Sequence, residues 1–202
     1  MPDSVDGVVL AAGLSTRSKR YKMALPLGDR TVIEQSIVGM IDVVRWIYVV
    51  VGWKAECVKA LLVGYSKVTP VYNAHFREGM FSSVRAGMAC VRADRFFLLP
   101  GDCALVGAAV YQKMLAVPGP IVIPTFAGRK GHPVLFDRDV VPEILGMPDD
   151  ATLRDYVNAK GYTTVEVDDE GILLDIDTPD DYDVMRARVR RRGEVKTQER
   201  EK

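Results

Sequence analysis

Short apolar runs alternate with longer amphipathic stretches along the chain, a pattern typical of strands separated by helices. β-Branched and aromatic residues predict buried strands over residues 8–12, 46–51, 68–72, 96–99, 121–123 and 173–176. The amphipathic stretches predict helices over residues 55–63, 83–91, 106–116, 140–145 and 152–159. Two more helices carry start signals: a capping box of Thr31 and Glu34, and Thr178 followed by Pro179 and Asp181.

This order of elements predicts an α/β fold with three α/β/α layers, in which helices cover both faces of a mostly parallel, Rossmann-like sheet. The chain has 202 residues without an evident linker or repeat, so we expect a single domain over residues 1–187. Residues 188–202 are charged and lack apolar periodicity, which predicts that the last helix frays and is followed by a disordered tail; a basic docking tail is the alternative. Parallel sheets of this kind bind ligands at their carboxyl edge.

Composition and charge narrow the class of partner. Acids and bases number 27 each and are mixed along the chain, so no basic field favours nucleic acid or an anionic membrane. The first apolar run ends by Ala12 and is preceded by acids rather than bases, so a cytoplasmic protein is expected. Cys57, Cys90 and Cys103 are widely separated, which indicates reduced thiols. A small-molecule partner is favoured.

The segment from Leu10 to Gly28 follows the first predicted strand and carries the strongest chemical signal. Small residues up to Gly13 allow a ligand to approach main-chain N–H groups, which suit phosphate oxygens. Arg17 and Lys22 supply the cations that chemistry at the α-phosphorus of a triphosphate requires. Neither a Walker A loop nor a GxGxxG fingerprint is present. By itself the segment is equally compatible with a simple strand-to-helix turn.

Taken with motifs further along, this segment resembles the loop of the MobA-like nucleotidyltransferases, especially the molybdenum cofactor cytidylyltransferase branch, with its pattern AAGxSxRMGxxKxxLPxxG. The motifs that carry the similarity occur in the same order as in the family and span residues 8 to about 182. It continues through Asn73, the segment from Gly79 to Gly87, Leu99-Pro100-Gly101-Asp102, Gly131-His132-Pro133 and Asp175-Ile176-Asp177-Thr178-Pro179. The resemblance implies the fold of the nucleotide-diphospho-sugar transferases.

The resemblance also implies roles for individual residues. Asp102 and Asp177 would hold Mg²⁺, which takes few protein carboxylates, with Asp175 as the substitute and turn or helix capping as the alternative role. Arg17, Lys22 and Asp102 would be catalytic. The nucleotide would contact Leu10, Ala11, Ala12, Gly13, Lys22, Ser82, Ser83 and Gly101, with plain N-capping as the alternative for each serine.

Gly131, His132 and Pro133 would bind the acceptor, and for His132 this role is favoured over that of a general base because an acceptor phosphate is already ionised. Ala12 stands where guanylyl-transferring relatives have glycine, and its methyl group favours a pyrimidine, hence CTP. Two departures from the family pattern stand out: Ser18-Lys19 replaces Met-Gly, and Cys103-Ala104 replaces xP after Gly101-Asp102.

The sequence therefore predicts transfer of CMP from CTP to a phosphorylated acceptor, with release of pyrophosphate. The resemblance implies molybdopterin as this acceptor, and a molybdenum enzyme as a further partner that receives the cofactor. A sugar phosphate or another alcohol phosphate is the alternative acceptor. A non-catalytic protein that delivers nucleotide or cofactor is the alternative from another class, whereas the missing GxGxxG argues against a dinucleotide-dependent oxidoreductase.

Overall fold

A computed structural model describes residues 4–14 and 21–200, with side chains as far as Arg191. Its strands are β1 Val5–Ala11, β2 Pro26–Leu27, β3 Arg30–Thr31, β4 Trp46–Val51, β5 Val68–Tyr72, β6 Arg95–Pro100, β7 Ile121–Phe126, β8 Arg129–Lys130, β9 Val134–Asp137 and β10 Thr163–Glu166. Its helices are α1 Val32–Val38, α2 Ala55–Leu62, α3 Met80–Met88, α4 Ala108–Leu115, α5 Val141–Leu145, α6 Leu153–Lys160 and α7 Pro179–Arg200. Within the described ranges, no helix is long and apolar enough to cross a membrane.

The main sheet has eight strands in the order β10-β7-β9-β6-β1-β4-β5, with β8 added beside β7. Pairing is parallel among β6, β1, β4 and β5 and between β7 and β10, whereas β9 runs antiparallel to both of its neighbours. The small strands β2 and β3 form a separate hairpin. The carboxyl ends of β6, β1, β4 and β5 consequently lie side by side at one edge.

The two faces of the sheet are covered by different helices because strand side chains alternate between them. In β1, Val9 and Ala11 join the cluster that contains the apolar residues of α1, α2 and α4, whereas Val8 joins the cluster formed with α3, α5 and α6. Phe97 packs edge-on against Tyr111 on the first face, with ring centroids 4.9 Å apart. The predicted three-layer α/β/α architecture is confirmed.

The predicted strand over residues 173–176 is wrong. Residues Glu170–Leu173 form a 3-10 helix, and residues 174–176 belong to no strand. Ile176 does not enter the sheet but packs in a third apolar cluster with Leu27, Leu105 and Met185 of α7. The apolar composition of this segment correctly indicated that it is buried. It is buried by α7 and by the hairpin of β2 and β3 rather than within the sheet.

Helix starts were predicted well where capping residues were present. Glu34 accepts hydrogen bonds from the N–H and hydroxyl of Thr31 at 2.7 and 2.6 Å, so α1 begins as the capping box predicts. In contrast, α3 begins at Met80 rather than at Ser83.

The last helix extends well beyond the predicted domain. It continues to Arg200, and packing extends past the predicted domain end at residue 187. Arg188 pairs with Glu170 at 2.8 Å, and Val189 packs on the third cluster. Residues 188 and 189 therefore contact the rest of the fold, whereas the domain end at residue 187 stays a prediction.

Candidate active site

The edge of the sheet at β1 and β6 brings two of the sequence motifs into contact. The N–H of Gly101 donates to the carbonyl of Leu10 at 2.9 Å, which extends the pairing of β6 with β1 beyond the strand. A Cβ at residue 101 would lie 2.9 Å from that carbonyl oxygen and 3.0 Å from the sulfur of Met23. Glycine is thus required at residue 101 because the strand end and the 3-10 helix Lys22–Ala24 approach it closely.

Lys22 is a buried cation at this edge, with 8% of its surface exposed. Its Nζ lies 2.9 Å from Asp177 Oδ1, where it donates a hydrogen bond, and 3.6 Å from Asp102 Oδ2. These three residues come from three distant parts of the chain. The structure therefore joins the predicted catalytic lysine to both of the predicted metal-binding carboxylates.

The carboxyl of Asp102 lies in an environment with excess negative charge. Burial raises its pKa, Lys22 opposes this rise, and the neighbouring Asp175 and Asp177 add to it. Among the described residues, the Lys22 ammonium thus stands beside three carboxylates. A divalent cation would complete the charge balance, and two hard oxygen ligands with room for phosphate and water match what Mg²⁺ uses in proteins. Among the described residues no group of three or more potential ligands is clustered tightly enough to form an all-protein metal cage.

The backbone around Asp177 is fixed by the start of α7. Asp181 Oδ2 accepts hydrogen bonds from the N–H of Asp177 at 3.1 Å, from the N–H of Thr178 at 2.7 Å and from the Thr178 hydroxyl at 2.8 Å. The N–H of Asp181 donates back to the Thr178 hydroxyl at 3.2 Å. The predicted helix start is therefore also the device that holds Asp177 in place.

Ser82 and Ser83 are organised by a residue whose importance the sequence motif did not reveal. Asn73, which follows β5 directly and is buried, donates its side-chain amide N–H groups to the two serine hydroxyl oxygens at 2.9 and 3.0 Å. Its Oδ1 accepts from the N–H of His75 at 2.9 Å. The Ser82 hydroxyl also contacts the carbonyls of His75 and Gly79, each at 2.8 Å. Since both serines lie inside the first turns of α3, neither is the N-cap residue.

The Gly131-His132-Pro133 segment packs against the segment that leads to Asp175 and Asp177. The N–H of His132 donates to the carbonyl of Ile172 at 2.8 Å, and a Cβ at Gly131 would lie only 2.3 Å from that oxygen. His132 Nδ1 is buried without a hydrogen-bond partner in the described part of the chain. Burial lowers the pKa of His132, with Asp175 acting in the opposite direction. The neutral imidazole is thus available to bind a ligand.

The turn after Asp102 is rigid although it lacks the family's proline. The N–H of Cys103 donates to the carbonyl of Pro100 at 3.1 Å, and Cys103 and Ala104 are both buried. Burial is the largest cause that raises the pKa of the Cys103 thiol, so it is neutral. The Cys103-Ala104 departure therefore leaves the position of Asp102 secured by packing.

The end of β1 carries Ala11, Ala12 and Gly13, which are predicted to contact the nucleotide. Ala11 and Ala12 are buried, whereas Gly13 is exposed. Ala12 packs in the cluster on the α3 face, and its methyl group lies 3.0 Å from where a Cβ of Gly52 would be. Arg17, together with Ser18 and Lys19, lies outside the described residues, so its predicted role stays a prediction from the sequence.

Comparison with known proteins identifies the family of the chain. A family model described as the MobA-like NTP transferase domain matches residues 7–165. The chain is 27% identical over 180 residues to the molybdenum cofactor cytidylyltransferase of Escherichia coli K12, covering 89% of this chain and 94% of that protein.

Solved structures show the same similarity. The Rv0371c protein of Mycobacterium tuberculosis H37Rv is 28% identical with a TM-score of 0.78, covering 91% of this chain and 98% of that one. A structure of that protein in complex with manganese gives 26% identity and a TM-score of 0.71, with 92% and 98% coverage. A nucleotidyl transferase from Methanothermobacter, 22% identical, shares the fold with a TM-score of 0.82 over 93% of this chain and 98% of its own. Since the family model spans most of the chain, the protein belongs to the MobA-like NTP transferase domain family.

Proposed function

We propose that this protein transfers CMP from CTP to a phosphorylated acceptor, with molybdopterin as the acceptor and Mg²⁺ as the metal. The observation that carries the proposal is the buried Lys22 ammonium within 4 Å of both Asp102 and Asp177. Such a group of one cation and two carboxylates at the carboxyl edge suits a metal-bound polyphosphate. The similarity to a cytidylyltransferase supports CTP, and the manganese complex of a relative supports a divalent ion.

In the proposed reaction, an acceptor phosphate oxygen attacks the α-phosphorus of CTP, and the bond from that phosphorus to the bridging oxygen of the β-phosphate breaks. A diphosphate linkage forms and pyrophosphate leaves. Mg²⁺ held by Asp102 and Asp177 would neutralise charge on the phosphates. No strong base is required, because the acceptor phosphate is already ionised.

The remaining side chains position the two substrates. Lys22, fixed by its two carboxylates, stabilises the charge that develops as pyrophosphate departs, and Arg17 is proposed from the sequence to act with it. Ser82 and Ser83, oriented by Asn73, offer hydroxyls to the cytosine ring. His132 contacts the acceptor, since its buried Nδ1 has no partner among the described residues.

The proposal is tested by incubating purified protein with CTP, Mg²⁺ and molybdopterin and measuring pyrophosphate release. We expect release with CTP to exceed that with GTP, and Asp102→Asn to abolish it. A panel of sugar phosphates and other alcohol phosphates, each with labelled CTP, tests the alternative acceptors. A protein that binds CTP tightly but releases no pyrophosphate with any acceptor would contradict catalysis and indicate a delivery protein, which could pass the cofactor to a molybdenum enzyme.

A further inference from the structure

The turn after β4, residues 52–54, lies against both described ends of the predicted nucleotide loop. The N–H of Trp53 donates to the carbonyl of Ala12 at 3.3 Å. A Cβ at Gly52 would lie 2.5 Å from Phe76 Cβ, so the turn is packed closely against its surroundings. The side chain of Lys54 projects to Tyr21, the first described residue after the loop, with Nζ 5.6 Å from the ring centroid.

Tyr21 connects this lysine to the site. Its hydroxyl donates to the carbonyl of Ala11 at the end of β1, at 3.3 Å, and the next residue along the chain is Lys22. The ring therefore stands between the end of β1 and Lys54. Tyr21 thus contacts both the end of β1 and Lys54, and it directly precedes Lys22 in the chain.

Lys54 is unfavourable for its local structure in two respects. Its backbone is left-handed, with φ 53° and ψ 38°, a conformation that suits glycine rather than a residue with a long side chain. It is also the N-cap of α2, where a cation faces the positive end of the helix dipole. Glycine or a short polar acceptor would stabilise the turn better.

The charge of Lys54 is also unmatched in the described part of the chain. No carboxylate there lies within 4 Å of its Nζ, and the side chain is exposed to solvent apart from its contact with Tyr21. Lys59, one turn further along the same helix, is by contrast paired with Glu56 at 2.8 Å. Lys54 is therefore a cation beside the site with no acidic partner among the residues that the structure describes.

We propose that Lys54 binds the terminal phosphates of the nucleoside triphosphate. The inference rests on the proposed function for the location of the nucleotide. Lys22 is engaged with Asp102 and Asp177, where the α-phosphorus would react. In the sheet, β4 lies on the opposite side of β1 from β6 and β9, near which Asp102 and His132 stand. Lys54 thus serves the leaving pyrophosphate portion rather than the acceptor.

The test compares binding of CTP and CMP, each with Mg²⁺, by calorimetry for the wild-type protein and three variants. We expect Lys54→Gln to weaken CTP binding roughly tenfold and to leave CMP binding unchanged, because only CTP carries the terminal phosphates. Lys54→Gly should weaken CTP binding equally while keeping or raising the melting temperature, because glycine accepts the left-handed backbone. Lys54→Arg should retain most of the affinity.

Lys59→Gln is the matched control, and it should bind CTP as the wild type does. The inference is overturned if Lys54→Gln and Lys54→Gly bind CTP like the wild type, or if CMP binding falls as much as CTP binding. If the wild-type protein releases pyrophosphate and the Lys54 variants bind CTP normally, the role of Lys54 is overturned and the proposed function is not. Wild-type protein that binds no nucleoside triphosphate would overturn the proposed function as well.

Discussion

At the scale of the residue, the buried Lys22 ammonium joins the two carboxylates proposed to hold the metal, Asp102 and Asp177. Lys22 lowers the pKa of Asp102 against the effects of burial and of Asp175 and Asp177. A lysine that is fixed by two partners loses no further orientational freedom when phosphate binds. This preorganisation is the physical reason to expect a large effect from its removal.

Replacing Lys22 with methionine should lower kcat/KM for pyrophosphate release by roughly a hundredfold or more, because a fixed cation at the developing charge is lost. Methionine keeps a comparable length and apolar stem, which limits the change in packing. Steady-state assays with CTP and Mg²⁺ measure the effect, with Lys59→Met as the surface control. Activity within a factor of three of the wild type would refute the assigned role of Lys22.

The buried imidazole of His132 should make stability depend on pH. Burial lowers its folded-state pKa below the ordinary value of 6.5, so the folded state resists protonation more than the unfolded state does. The resulting stabilisation is present above pH 6.5 and is lost as the pH falls from there through the folded-state pKa. The opposing effect of Asp175 is smaller.

Urea unfolding between pH 5 and 7.5 measures this dependence. The free energy of unfolding of the wild type should fall more steeply toward pH 5 than that of His132→Asn, which cannot titrate in this range. The other histidine, His75, is exposed and common to both proteins. Parallel curves for the two proteins would show that His132 does not contribute to the pH dependence.

At the scale of the element, the start of α7 combines helix capping with the placement of Asp177. Asp181 accepts hydrogen bonds from Asp177 and Thr178, as a capping residue does, but one of these donors belongs to a proposed metal ligand. The start of α6 offers a matched case, in which Asp155 donates its N–H to Thr152 at 3.2 Å and accepts from the Thr152 hydroxyl at 2.6 Å. That helix contributes no proposed site residue.

Asp181→Ala and Asp155→Ala should each destabilise the protein by about 1 kcal/mol in urea unfolding, because each removes a cap interaction. Only Asp181→Ala should also raise, by several-fold, the Mg²⁺ concentration that half-activates pyrophosphate release. Asp181→Asn keeps an oxygen acceptor and should recover part of this loss. If both alanine variants require the same Mg²⁺ concentration, Asp181 acts only as a helix cap and does not position Asp177.

At the scale of the whole molecule, α7 packs against the hairpin of β2 and β3. Tyr182 donates its hydroxyl hydrogen to the carbonyl of Pro26, Met185 is fully buried, and Val189 Cγ1 lies 2.7 Å from where a Cβ of Gly28 would be. These contacts tie α7 to the hairpin of β2 and β3, which follows Lys22 in the chain. The helix is therefore part of the site's support.

Two shortened chains test how far the domain extends. A chain that ends at residue 187 loses the packing of Val189 and the Arg188–Glu170 pair, worth together about 1 kcal/mol, and should melt roughly 3 °C lower. A chain that ends at residue 191 keeps both contacts and should melt like the full chain. Calorimetry measures the melting temperatures of the two shortened chains. Equal melting temperatures would show that residues 188–191 do not stabilise the domain, which would then end at residue 187 as predicted.

Sequence by itself determined the elements whose signals are local. β4 and β5 have the predicted bounds because short runs rich in β-branched and aromatic residues between turns favour strands. The first and last helices begin as predicted because their capping groups lie three residues apart in the chain. The motif residues were likewise identifiable, because they stand in short segments at the ends of predicted strands and helices.

Tertiary structure decided what depends on distant partners. β9 lies antiparallel between β6 and β7, and its partner β6 is distant in the chain. Residues 174–176 lie outside the sheet, because Ile176 packs instead against Met185 of α7, which comes later in the chain. Asn73 acquires its importance from two serines on the next helix, and Lys54 from a ring that precedes Lys22. The sequence supplied the cation and the carboxylates, whereas only the fold brought Lys22 within 4 Å of both Asp102 and Asp177.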